Sequence, residues 1–135
     1  MKKYTLYLIL LLSLSLQFSC KKEADKKIEV DKVVNTFFKA LNDKDFETMK
    51  SVSNDDVDKY VEFITTFGDD LVELDSIIIQ NTKIVDNKAQ VRVETIDVYG
   101  YKIFYQLSLT KEFTKWKLSE IDGYGTETKL TKDEI

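Results

Sequence analysis

The residues whose types and spacing could do chemistry gather between positions 95 and 105. Asp97 has the parity of Val91, Val93 and Thr95 on a strand, which would turn its side chain inward. Burial there would raise the carboxyl's pKa toward that of a useful general base. At a strand end, or past a bulge near Glu94, the same residue would be a solvated rim group. Tyr99, Tyr101 and Tyr105 bring phenols able to donate hydrogen bonds to a ligand oxygen, although half-buried tyrosine is also normal strand filling. The chain has no histidine and a single arginine, Arg92. Histidine acid–base chemistry, histidine metal sites and most arginine-clamped anion sites are therefore missing. A second group, Asp43, Asp45 and Glu47, alternates as calcium-loop ligands do. Thr48 stands where that loop needs glycine and Asn54 where it needs a bidentate glutamate, so helix capping accounts for these acids better than metal does. No cofactor is implied.

The 135 residues, 43% of them apolar, suggest one domain. Acids outnumber bases by 24 to 20, for a net charge of −4, which argues against a nucleic-acid partner. Residues 1–19 have the layout of an export signal, with Lys2 and Lys3 ahead of an apolar run from Tyr4 to Leu16. As a helix, Tyr4 to Phe18 would span roughly 22 Å, short of a bilayer's hydrocarbon core of roughly 30 Å. The lysines stay on the cytoplasmic side, so the chain after Cys20 is expected to cross the inner membrane. Losing a leader that holds Lys2 and Lys3 would leave a charge of about −6. Cys20 is the only cysteine and cannot form an internal disulfide. After it, "KKEADKK" is charged and without apolar periodicity, as a solvated tether over residues 20–29 would be.

Elements must then position the candidate residues. Val30, Val33, Val34, Phe37, Phe38 and Leu41 follow the spacing of one helix face. "NDKD" stops that helix, and Asp45 is placed to cap a second one bearing Phe46, Met49 and Val52. "SNDD" precedes a third with Val57, Tyr60, Val61, Ile64 and Phe67, ending near Gly68. Four β-rich runs follow, at about 72–85, 88–98, 101–111 and 115–121, separated by "DNK", "YGY" and "EFTK" turns that favour an antiparallel meander. Ala89, Val91, Val93, Thr95 and Asp97 share one face. So do Tyr101, Ile103, Tyr105, Leu107 and Leu109, and Trp116 with Leu118 continues it. Lys102, Gln106 and Ser108 make the other face look solvated, interrupted by Phe104. The expected fold class is α+β, with N-terminal helices packed on a curved antiparallel four-stranded sheet over residues 30–122 and a polar tail over 123–135.

Two resemblances add to this reading. "LQFSC" resembles the lipobox of bacterial lipoproteins, with Ser19 before Cys20 and Leu16 and Phe18 upstream, and Gln17 where leucine is usual. The looser lipoboxes of Bacteroidetes lipoproteins are similar. The resemblance implies cleavage after Ser19 and acylation of Cys20, with a palmitate-type anchor in the cell envelope, on the outer membrane, facing the periplasm or the cell surface. The alternatives are an uncleaved signal anchor and ordinary secretion. "VVNTFFKALNDKDFETMKSV" with the later "LSLTKEFTKWKLSEI" looks like the nuclear transport factor two-like superfamily, a cystatin-like cone, and within it small Bacteroidetes lipoproteins of unknown function. Phe37, Phe38, Phe46, Phe63, Phe67 and Trp116 could line the cavity that a cone-shaped sheet closed by helices tends to leave, although most of them are expected simply to be core. Enzymes of the superfamily often place an aspartate in the mouth of the cone to move a proton next to a carbonyl. The expected role is a non-catalytic binding or interaction module for a small hydrophobic ligand or an envelope partner, as monomer or homodimer. Thr95, Asp97, Tyr101, Tyr105 and Trp116 are its candidate ligand residues. The alternative is a small lyase or isomerase with Asp97 as base.

Overall fold

Helix α1 runs from Lys2 to Asn42 in a computed structural model that describes the backbone of residues 2–66 and 73–124. Side chains are described for 22–57, 59–62, 66 and 73–123, so those of Cys20, Phe63, Ile64 and Phe67 lie outside the described residues. The expected face is the one that packs: Val30, Val34, Phe37 and Phe38 are fully buried, and Val33 and Leu41 join the same cluster. The segment 22–29 differs from expectation, because it continues the helix instead of forming an irregular tether. Its physical cause is the absence of a breaker. Lysine, glutamate and alanine are good helix formers, and Lys27 pairs with Asp31 one turn on. The segment remains largely solvent-exposed, with the first buried residue at Val30.

Two short helices follow. Asp45 caps α2 (Phe46–Ser51), its side chain accepting from the Thr48 N–H at 3.1 Å and the Thr48 hydroxyl at 2.6 Å. Asn54 does the same for α3 (Asp55–Thr66), taking the Asp56 N–H at 3.1 Å. Both polar clusters are helix caps, each satisfying an orphan N–H of a first turn.

The second half is a meander, β1 (Leu74–Val85), β2 (Lys88–Asp97), β3 (Lys102–Glu112) and β4 (Lys115–Tyr124), ordered β1-β2-β3-β4 and antiparallel throughout. Its inner face carries Ala89, Val91, Val93, Thr95, Leu107, Leu109, Trp116 and Leu118, all buried against α1, α2 and α3. Register shifts bend it. One falls between Ile79 and Asn81, and another places Ser119 as the extra residue between Leu118 and Glu120. An extra residue on one strand increases local twist and curves a sheet that would otherwise be too flat to wrap three helices. The helical half is stitched to this bend, since the Asn54 N–H donates to Leu118 O at 2.9 Å and the Leu118 N–H to Val52 O at 2.8 Å.

The direction of α1 along the sheet fixes which end is which. Asn42 clamps the start of β1, accepting the Leu74 N–H at 2.8 Å and donating to Leu74 O at 3.3 Å. Further back, Asp31 accepts from Thr82 at 2.7 Å and Glu29 faces Lys111 at 3.8 Å. The β1–β2 and β3–β4 hairpin tips therefore lie beside residues 23–31 of α1, and the β2–β3 turn lies beside its C-terminus. The two tips are joined by the Lys111 N–H donating to Asn87 O at 2.8 Å.

Candidate functional site

Thr95 and Tyr105 reach the same place because β2 and β3 are paired with Val93 opposite Tyr105 and Thr95 opposite Ile103. Thr95 is buried and Tyr105 half-buried, and the Thr95 hydroxyl donates to the Ile103 carbonyl at 3.4 Å on the strand that carries Tyr105. A third hydroxyl-bearing side chain comes from α3, where Tyr60 is near enough to Tyr105 for the two phenols to influence each other's ionisation. The Tyr105 ring is held on both sides. Phe38 lies against it with ring centroids 5.1 Å apart, and on β4 Gly123 leaves the room it needs, since a Cβ there would stand 3.2 Å from its Cε1. Burial raises the pKa of both phenols above the ordinary value; for Tyr60 the negative charge that an ionised Tyr105 would carry adds to the effect. Both therefore stay neutral at physiological pH and act as hydrogen-bond donors and acceptors.

Asp97 and Tyr101 are brought together elsewhere, in the β2–β3 turn. One carboxylate oxygen of Asp97 accepts the Tyr99 N–H at 2.8 Å and the Tyr101 N–H at 3.0 Å. Its main chain closes the same turn, with Gly100 N–H donating to Asp97 O at 2.9 Å and Asp97 N–H to Tyr101 O at 3.0 Å. Gly100 supplies the left-handed φ of 86° that the turn demands. Asp97 thus sits at the strand end and organises a turn in the manner typical of aspartate, while Tyr99 stands 67% exposed beyond it. Trp116 belongs to the far end of the sheet. It pairs with Lys111, six residues along β3 from Tyr105, or about 20 Å of strand. Its indole is buried beneath the Lys111 ammonium, 5.8 Å from the ring centroid, and its Nε1 has no hydrogen-bond partner among the described residues.

The five candidate residues hence fall into three places: a hydroxyl cluster inside the cone, a turn at its rim and a core tryptophan at the opposite end. Tyr60 was missing from the sequence reading as a site residue. Its signal was present, since a tyrosine on the apolar face of a helix must find a partner for its polar tip. Tyr60 also lines a surface groove of about 610 Å³ between α3 and β4, with Asp56, Lys59, Ser119 and Ile121. Of the aromatic residues, Phe37, Phe38 and Trp116 are core, as expected of most of them, Phe46 is partly buried against that core, and Phe63 and Phe67 lie outside the described side chains.

No protein-family model and no curated protein matches the chain. Solved structures do. An NTF2-like protein of unknown function from Methylobacillus flagellatus KT is similar with a TM-score of 0.63 at 18% identity, over 76% of this chain and 93% of that one. Another, from Shewanella baltica OS155, gives a TM-score of 0.61 at 14% identity over 76% and 97%. A third, from Silicibacter pomeroyi DSS-3, gives 0.60 at 13% over 74% and 98%. The fold is therefore the NTF2-like α+β fold, with helices followed by a four-stranded antiparallel sheet. Identities this low speak for the fold alone, since one fold hosts many functions.

Proposed function

We propose that this chain is a lipid-anchored protein of the bacterial cell envelope whose NTF2-like domain is a binding module for a small, largely apolar ligand. The observation that carries the binding reading is the gathering of the Tyr105, Thr95 and Tyr60 side chains beside Phe38. Neutral phenols in an apolar surround recognise one polar group on an otherwise apolar molecule, by analogy with pockets in which a few convergent hydroxyls fix orientation. An envelope protein in place of the small ligand is the second occupant of the same reading. The enzymatic alternative needs Asp97 as a base, and support for it is weakened by the two backbone N–H groups that already occupy one of its oxygens.

The anchor rests on Lys2, Lys3, the apolar run and "LQFSC" ahead of the domain. Acyl chains on Cys20 would supply about 0.8 kcal/mol per buried CH₂, and two or more chains hold a protein stably where one does not. The test is direct. Labelled palmitate should enter the wild-type chain and not Cys20→Ser, and native mass spectrometry of the protein extracted from envelopes should show a retained small molecule that is lost in Tyr105→Phe. Absence of label defeats the anchor, and a bare mass in the wild type defeats the small-ligand reading.

A further inference from the structure

We infer that the hairpin-tip end of the domain is a docking surface for an anionic phospholipid bilayer, a step that rests on the lipid-anchored reading above. Three observations converge on that end. Phe113 is completely exposed at the β3–β4 tip, at a left-handed φ of 56° where turn chemistry favours glycine, asparagine or aspartate. Val85 at the neighbouring β1–β2 tip and Ile28 on α1 are 59% and 67% exposed. Isolated apolar residues on a surface need no explanation, but a bulky aromatic at the outermost point of a turn, with two aliphatics on the same end, forms a patch suited to an apolar medium.

Charge selects the medium. Residues 83–88 and 111–117 hold five lysines, Lys83, Lys88, Lys111, Lys115 and Lys117, against two acids, Asp86 and Glu112, in a chain whose net charge is negative; Lys111 is engaged by Glu29 at 3.8 Å, which leaves four lysines for headgroups. Beside the β3–β4 tip, Lys32, Lys115 and Lys117 line a groove of about 400 Å³ whose one acid is Glu29. The opposite end also exposes apolar residues, Val98 and Tyr99, but it carries Glu73, Asp75, Asp97 and Asp122, with Lys102 engaged by Glu94 at 3.3 Å. Anionic headgroups attract the first end and repel the second.

Position completes the argument. Glu23, Ala24, Lys26 and Lys27 of α1 lie level with Thr82 and Ile84, next to the β1–β2 tip. Cys20 is three residues before Glu23 on the same helix, about 4.5 Å of rise. An acyl group there would deliver this end of the domain, and not the acidic one, to the bilayer. Phe113 and Val85 would then enter the headgroup boundary, with the lysines on phosphates.

The test uses full-length protein carrying Phe113→Trp, in vesicles of phosphatidylethanolamine and phosphatidylglycerol, with the wild type subtracted to remove Trp116. The added indole should lose emission to brominated lipid and be shielded from aqueous iodide. The effect should weaken in phosphatidylcholine, in high salt, and when Lys83, Lys88 and Lys115 are changed to glutamine. In the unaltered wild type, exchange of amides 111–115 should slow in the same vesicles relative to detergent. An indole quenched freely by iodide and untouched by brominated lipid, or unchanged amide exchange, overturns the docking. Palmitate incorporation reports the anchor separately: a labelled chain with an unquenched tip refutes docking alone, and an unlabelled chain with a quenched tip refutes the anchor alone.

Discussion

Tyr105 draws its surroundings from four elements: Thr95 on β2, Tyr60 on α3, Phe38 on α1 and Gly123 on β4. Because burial raises the pKa of both phenols, the folded state holds their protons more tightly than the unfolded chain does. The stability this reflects is fully present below about pH 10, the ordinary phenol value, and is lost as pH rises beyond it. Alkaline titration followed by phenolate absorbance should therefore show two tyrosines that ionise late, and Tyr60→Phe and Tyr105→Phe should each remove one. Gly123→Ala should lower stability by about 1 kcal/mol in urea unfolding, because its Cβ would press the edge of the Tyr105 ring and force the ring to move. Asp97→Asn separates the two functional classes, since asparagine keeps an oxygen for the Tyr99 and Tyr101 N–H groups but cannot serve as a base. Unchanged ligand retention is expected of a module, and abolished turnover would identify an enzyme.

At the scale of elements, α1 is both core and frame. Phe38 is fully buried between Phe37, whose ring is 5.6 Å away, and Tyr105, so Phe38→Ala should cost about 3–5 kcal/mol of unfolding free energy by denaturant titration. The α2 cap behaves differently, because the Thr48 hydroxyl and then its N–H hold the Asp45 carboxyl below the ordinary carboxylate value. A lowered value means the cap's contribution is present above about pH 4 and fades as pH falls through the folded-state value. Asp45→Ala should reduce the urea midpoint at pH 7, and the gap from wild type should close in strong acid. Such features were legible in the sequence because each is local: the helix face is a period, the caps are residue types before a period, and strand parity placed Val91, Val93 and Thr95 inward. The helical course of 22–29 was not, since a charged segment with high helix propensity has no apolar rhythm to betray it. The hydroxyl cluster was half legible. Strand parity put Thr95 and Tyr105 on one face, but Tyr60 joins them only once α3 is folded over the sheet, and Trp116 left the group because its register with Lys111 carries it to the other end.

For the whole molecule, the consequence of a continuous α1 is mechanical. A flexible tether would let an anchored domain face any way, whereas a helix that runs from position 20 into the core couples the anchor to one orientation. That coupling can be tested by changing the connection without touching the docking residues. Seven helix-forming residues inserted between Lys22 and Glu23 turn the chain through nearly two full turns, restoring the facing to within about 20°, and lift the domain by about 10 Å. Seven glycine and serine residues at the same point span about 15 Å at random and impose neither direction nor height. If α1 acts as a strut, the helical insertion should abolish quenching of a Phe113→Trp tip by brominated lipid, while the glycine–serine insertion leaves much of it, with palmitate incorporation equal in both. Equal quenching in the two would mean that the helix bends freely beside Lys22, and orientation would then rest on Phe113, Val85 and the tip lysines alone.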